Sequence, residues 1–282
     1  MIKLTYKEKP SIFKSSLSLL TRRPRFDAYA PLPVIELHWP LPKIDLAMLH
    51  DYQKLCSYNQ DKQVPICFPY VLCGPLHLQL LKYLPIPSMG LLHLNSQMKL
   101  IKVIDPQLPV ELICRSGSSW VTSQGLEFQV ESILEQEGKV CWSCSATFLR
   151  RGTFPKVSDT RSPALTKLEF SAPIGSFDVP GNIGRSYARI CGDYNPIHIS
   201  SPSAWLFGLK GSIAHGMWVA ARSLALMPQQ ISSLDLAFKG PVFTGGHVQL
   251  VKKENDFNLF FRGNTRPVIL GSINKTSLLT YH

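Results

Sequence analysis

The sequence predicts an α+β protein made of two tandem copies of one helix-and-sheet unit, and three observations carry that prediction. The chain has 282 residues, 45% of them hydrophobic, enough for one large core or for two of about 130 residues each. A phrase in the first half, Tyr52-Gln53-Lys54-Leu55-Cys56-Ser57-Tyr58-Asn59, returns in the second as Tyr187-Ala188-Arg189-Ile190-Cys191-Gly192-Asp193-Tyr194-Asn195, with one residue added. Between the two phrases, Leu126 to Leu134 and Val140 to Leu149 alternate apolar with polar residues around Glu137-Gly138, as an antiparallel hairpin with one solvated face does.

In chain order, the first 30 residues read as an amphipathic lead-in or partly ordered arm. The apolar run that follows Lys14 is too short and too polar for a signal-peptide core or a membrane span. A proline-rich entry, Pro31 to Pro42, leads to a helix over Asp45 to Cys56, with Leu46, Leu49 and Tyr52 at helical spacing. The segment Tyr70 to Leu81, closed by Pro85, stands where a helix opening on Ala214-His215-Gly216-Met217 stands later, and Leu92 to Lys99 stands where Leu234 to Lys239 does. Three matches in one order argue for an internal duplication. By this alignment Pro75 takes the place of the second copy's glycine, and proline has no N–H to donate. The copies are expected at 1–150 and 164–282, joined by a polar linker at 151–163.

In the second copy, Ile183, Tyr187, Ile190 and Cys191 mark a helix that cannot run through Pro196, so the chain must turn near Gly192. A second helix is expected over Ile213 to Met227, N-capped by Ser212 and closed by Pro228. Strands follow near Val248 to Lys252, Asn258 to Arg262 and Pro267 to Ile273.

The turn carries the chemistry. Asp193 and His198 flank the bend around Asn195-Pro196, where their side chains can converge on one water, and a carboxylate with a neutral imidazole can deprotonate it or return its proton. Gly216 lies in the first turn of the next helix, where backbone N–H groups lack partners and favour an oxygen gaining negative charge. His215 is expected to hold the loop before that helix. Tyr194 and Met217 fit core or pocket wall as well as any chemical role.

The run Cys191-Gly192-Asp193-Tyr194-Asn195-Pro196-Ile197-His198, the following Ala214-His215-Gly216-Met217 and the later Phe238-Lys239-Gly240-Pro241-Val242 resemble the hydratase signature of MaoC-like (R)-specific enoyl-CoA hydratases and 3-hydroxyacyl thioester dehydratases. The resemblance implies a double hot-dog fold, two repeats each with a long central helix wrapped by an antiparallel sheet, with the one working site in the second. It implies Asp193 and His198 as the catalytic pair. Asn195 would shape the turn, the Gly216 N–H would polarise the thioester carbonyl, and the degenerate first copy would help shape the acyl pocket. One departure stands out: family members often carry a serine eight residues after that glycine, where this chain has Leu224 with Ser223 beside it.

The implied reaction is hydration of a trans-2-enoyl-CoA or dehydration of an (R)-3-hydroxyacyl-CoA. It needs no metal, flavin or nicotinamide, and no glycine-rich nucleotide loop is visible. The rivals are the same chemistry on an acyl carrier protein, and a non-catalytic acyl-thioester binding protein. A net charge of +11, from 30 Lys and Arg against 19 Asp and Glu, favours anionic partners such as coenzyme A phosphates or an acidic carrier protein. The charges are scattered, without the basic and aromatic interleaving of a nucleic-acid surface. Seven cysteines without zinc or disulfide-scaffold spacing suit a reducing compartment, and Cys141 and Cys144 are expected to face opposite sides of a strand. Together these features predict a cytoplasmic protein that does not insert in membranes, an architecture that also permits a homodimer of double hot-dogs.

Overall fold

The computed structural model describes residues 1–59, 63–155, 165–227 and 231–275. The first half runs β1 (Ile2–Thr5), α1 (Ile12–Thr21), β2 (Ile35–Leu41), α2 (Leu46–Cys56), α3 (Phe68–Leu72), α4 (Gly74–Tyr83), β3 (Leu91–Leu100), β4 (Val110–Thr122), β5 (Gly125–Gln136) and β6 (Lys139–Arg151). The second half runs β7 (Gly175–Asp178), α5 (Ile183–Cys191), α6 (Pro196–Ile199), α7 (Ser201–Trp205), α8 (Gly216–Leu224), β8 (Ile231–Phe238), β9 (His247–Lys253), β10 (Asp256–Phe261) and β11 (Ile269–Lys275). Most of the expected linker, 156–163, lies outside the described residues.

All eleven strands form one sheet, ordered β1-β2-β4-β5-β6-β3-β8-β11-β10-β9-β7. Outward from the central β3–β8 pair, the first half runs β3, β6, β5, β4, β2 and the second β8, β11, β10, β9, β7, the same topology twice. The halves join antiparallel, with Asn95 opposite Ala237 and Met98 opposite Leu234. The helices repeat too. Ser57 (φ 58°) ends α2 in the left-handed region as Gly192 (φ 79°) ends α5, and α4 and α8 open on Gly74 and Gly216. Gly74, not Pro75, is therefore the counterpart of Gly216, a one-residue correction to the sequence alignment. This is the double hot-dog fold, with central helices of 10 and 9 residues.

Local chemistry explains most element ends. Asp45 caps α2 through the Ala47 and Met48 N–H groups. Consecutive left-handed residues, Glu137 (φ 51°) and Gly138 (φ 70°), make the tight β5–β6 hairpin, whose twist matches that of its strands. Three expectations change. The proline-rich entry contains β2, whose Ile35, Leu37 and Trp39 are buried on alternate positions. The N-terminal arm is ordered: β1 lies parallel to β2, and the Gln79 amide of α4 donates to Ser15 of α1. Cys141 and Cys144 are both buried, because a register shift in the β5–β6 ladder falls beside Cys141.

The core continues across the halves. Tyr52 of α2 and Tyr187 of α5 are both buried, with ring centroids 6.3 Å apart. The buried Trp218 of α8 donates its indole N–H to the Leu55 carbonyl of α2 at 3.1 Å, so the second copy's central helix is pinned to the first copy. Trp142 is fixed likewise through the Ile66 carbonyl at 2.8 Å. No described helix is long and apolar enough to cross a membrane.

Candidate active site

The bend after α5 forms where expected and by the expected means. Gly192 takes up the left-handed turn, and the Asp193 N–H then points back to Cys191 Sγ at 3.4 Å. Asp193 Oδ1 accepts from the Asn195 N–H at 3.1 Å, an Asx-type turn. Asn195 caps the short helix α6, its side chain accepting from the Ile197 N–H, and Pro196 occupies the first helical position. His198 thus sits on a one-turn helix whose seat is α5. A Cβ on Gly184 would lie 1.8 Å from the His198 carbonyl oxygen, so only glycine permits this approach.

Hydrogen bonding fixes the tautomer of His198. Its Nδ1 lies 2.9 Å from the Ile213 carbonyl, which can only accept, so Nδ1 carries the proton and Nε2 presents a lone pair. That Nε2 is 3.9 Å from Asp193 Oδ2, too far for a direct hydrogen bond. A water at about 2.8 Å from each atom would subtend roughly a right angle between them, so the spacing suits a bridging water. The Asp193 side chain is 52% exposed and that of His198 is 10% exposed, so one partner meets solvent while the other is held.

His215 contributes more than the sequence indicated. It is the N-cap residue of α8, and its Nε2 donates to the Asp193 backbone carbonyl at 3.0 Å while lying 3.7 Å from Oδ2. Its ring stacks on His198 at 3.7 Å between centroids, and its buried Nδ1 has no hydrogen-bond partner among the described residues. Burial, with His198 alongside, holds His215 down to about 4, so it stays neutral beside the lone pair. The partial loss of solvent around the Asp193 carboxyl would by itself raise it, but the imidazoles of His215 and His198 and the Asn195 N–H outweigh this and hold the group below the usual carboxylate range. The ligand atoms of Asp193, His198 and His215 lie within 4.8 Å of one another, a donor set that divalent cations also accept.

The second helix begins later than the sequence predicts. Ile213 forms a β-bridge to Phe243 and the Ala214 N–H donates to Val242, so both are held extended and α8 starts at Gly216. Ser212 is not the cap; its hydroxyl pairs with Thr244 at 2.8 Å. Pro228, expected to close the helix, lies outside the described residues, and α8 ends at Leu224. No described residue accepts from the Gly216 N–H. The Gly216 backbone faces Phe238, whose ring would be 2.7 Å from an added Cβ. Met217 is buried in the core and Tyr194 is 50% exposed. Leu224 is buried, and the Ser223 hydroxyl donates to the Ala220 carbonyl within its own helix, so neither reaches the pair.

Beside this cluster lies a cleft of about 620 Å³ whose lining includes Lys210, Lys239, Arg262 and Arg266 and no carboxylate. It reaches Ser212, next to the Ile213 that anchors His198, but contains neither Asp193 nor His198. Sequence reading missed this concentration because the four cations are spread over 57 positions. Lys239 inside a signature motif and the Arg262/Arg266 spacing around a turn were the available signals.

Residues 182–270 match the family model described as the MaoC like domain. The chain is similar to 3-hydroxyacyl-thioester dehydratase X of Mycobacterium tuberculosis, 27% identical over 184 residues, which span 64% of this chain and 66% of that protein. Among solved structures it resembles HtdX of Mycobacterium tuberculosis, with a TM-score of 0.72 at 22% identity over 85% of this chain and 100% of that one. It also resembles a MaoC-like dehydratase of Phytophthora capsici, with a TM-score of 0.69 at 18% identity over 87% and 95% of the two chains. With the duplicated sheet and the bent helix pair in agreement, the chain has the fold of MaoC-like dehydratases, and its residues 182–270 match the MaoC like domain.

Proposed function

We propose that the protein is a hydro-lyase that hydrates trans-2-enoyl thioesters and, in reverse, dehydrates (R)-3-hydroxyacyl thioesters, with coenzyme A as the carrier and the cytoplasm as its compartment. The observation that carries this reading is the placement of His198 Nε2 3.9 Å from Asp193 Oδ2 while its Nδ1 is engaged by the Ile213 carbonyl. Both atoms are acceptors, so a bridging water gives one hydrogen to each. The carboxylate is held below its usual range and is the weaker base, so the imidazole takes the proton. The water oxygen bonds to the β-carbon, the C=C electron pair moves toward the thioester carbonyl, and the Gly216 N–H stabilises the developing enolate oxygen. The imidazolium, steadied by Asp193, then returns a proton to the α-carbon, so one water is consumed and no redox partner is needed.

The cationic cleft supports a phosphate-bearing carrier. The same charge favours the second reading, an acidic carrier protein, and one experiment separates them. Purified protein mixed with trans-2-enoyl-CoA should remove the conjugated-thioester absorbance. Carrier-protein thioesters of equal chain length should turn over more slowly; faster turnover would move the assignment to the carrier protein, and no turnover of either would leave a binding protein.

A further inference from the structure

The first copy has lost the Asp-x-Asn-Pro-x-His phrase, yet the fold gathers a second chemically distinctive cluster there. Cys73 is the N-cap residue of α4 and immediately precedes Gly74, the place that His215 takes before Gly216 in the second copy. His77 lies one helical turn further on, so both project from one face. Cys114 approaches from β4. The Sγ atoms of Cys73 and Cys114 and a ring nitrogen of His77 all lie within 4.8 Å of one another. A fourth donor closes the set: Ser132 on β5, directly across the ladder from Cys114, has its hydroxyl 2.7 Å from His77 Nε2 and 3.6 Å from Cys114 Sγ. Both cysteines and Ser132 are buried and His77 is half-buried.

We propose that Cys73, His77 and Cys114 form a binding site for a thiophilic divalent cation, with zinc as the fitting ion and the Ser132 hydroxyl or a water as fourth ligand. Two sulfurs and an imidazole without a carboxylate or carbonyl oxygen select zinc over magnesium or calcium. Two thiolates neutralise the ion, so the complete site carries no net charge into the interior. Zn–S and Zn–N bonds of about 2.3 and 2.0 Å imply ligand separations of roughly 3.5–3.8 Å in a tetrahedron, so ligand atoms that lie within 4.8 Å of one another need to close by about 1.3 Å at most. The ligands come from a helix N-terminus and a strand not adjacent in sequence, which is why the cysteine spacing gave no sign of them. Gly74 packs directly against the Cys191 carbonyl at the end of α5, 2.5 Å from an added Cβ. An ion here would therefore brace the helix start on which the Asp193 bend rests.

The test is metal loading of the full-length protein. Wild type incubated with zinc and desalted should retain one ion per chain, and cadmium should give the ultraviolet thiolate-to-metal charge-transfer band. Both signals should fall at least tenfold in Cys73→Ser, Cys114→Ser and His77→Ala. They should be unchanged in Cys56→Ser, a buried cysteine elsewhere, and in Asp193→Asn. X-ray absorption of the zinc-loaded wild type gives a reading that needs no variant: two sulfur ligands and at least one nitrogen are expected. Failure of the wild type to retain zinc, retention by Cys114→Ser, or loss of zinc in Asp193→Asn would overturn the assignment, the last by moving the ion to the Asp193, His198 and His215 trio.

Discussion

Replacing Gly184 with alanine tests how α5 seats His198. The added Cβ would lie 1.8 Å from the His198 carbonyl oxygen and 2.7 Å from its carbonyl carbon. An ordinary contact begins near 3.4 Å, so α5 and α6 must separate by about 1.6 Å, taking the ring with them. His198 Nε2 and Asp193 Oδ2 are 3.9 Å apart, and a further separation of about 1.6 Å would take them to about the limit that one water bridges with two ordinary hydrogen bonds. A misplacement of about 1 Å in a reacting group can cost on the order of 10²-fold, so kcat should fall by about that factor or more while KM changes little. Overpacking of this kind costs roughly 1–3 kcal/mol, which in a chain of this size lowers Tm by several degrees. Gly181→Ala is the control, since a Cβ there meets nothing within 4 Å and both readings should stay at wild type. Enoyl-CoA hydration followed by absorbance, with thermal unfolding of the same samples, makes the measurement. A folded Gly184→Ala protein with wild-type kcat would refute the claim that this glycine positions the base.

Other outcomes follow from the same geometry. His215 and His93 are both held down to about 4 from an ordinary 6.5, chiefly by burial. Between those values the unfolded chain binds the more protons, so stability that is fully present above about pH 6.5 is lost as pH falls toward 4. The loss is on the order of 3 kcal/mol for each imidazole, and urea midpoints should drop between pH 7 and pH 5; a flat profile would contradict the burial of both rings. Lys239→Glu and Arg266→Glu in the cationic cleft should raise KM for a CoA thioester with little change in kcat. The effect should shrink as salt is added and vanish with a thioester that lacks the nucleotide; an equal change for both substrates would count against the cleft. Gly216→Ala brings a Cβ within 2.7 Å of the Phe238 ring, beside the N–H proposed to stabilise the enolate oxygen. A fall in kcat of about 10²- to 10³-fold is expected, and the double variant with Phe238→Leu should recover stability without recovering rate.

Where the sequence was legible, the cause was local. Gly192 could end α5 because no other residue takes a φ of 79° as cheaply, and Glu137-Gly138 could only be a tight turn. The Asp193 and Asn195 side chains bond their own backbone within two residues, so the bend was readable from a handful of letters. The duplication was readable because both copies keep the Tyr-x-x-x-Cys helix end.

What escaped depends on partners distant in sequence. The start of α8 is delayed by a bridge from Ile213 to Phe243, thirty residues on, which no helical periodicity records. His215 looked like a loop residue because its acceptor, the Asp193 carbonyl, lies 22 positions earlier. β2 was hidden by its flanking prolines, although every second residue from Ile35 to Trp39 is buried. The cationic cleft and the cluster of Cys73, His77 and Cys114 are assembled wholly by the fold.

The most direct measurement compares hydration of trans-2-enoyl-CoA by wild type, Asp193→Asn and His198→Asn under saturating substrate. Asp193→Asn is isosteric, and His198→Asn keeps an N–H that can meet the Ile213 carbonyl in place of the ring Nδ1–H, so folding should be retained. If one water is shared between the carboxylate and the imidazole, each variant loses on the order of 10²- to 10⁴-fold in kcat, and the double variant loses little beyond the worse single one, because the two groups act as a unit. A rate preserved in either single variant, or losses that multiply in the double, would contradict the account.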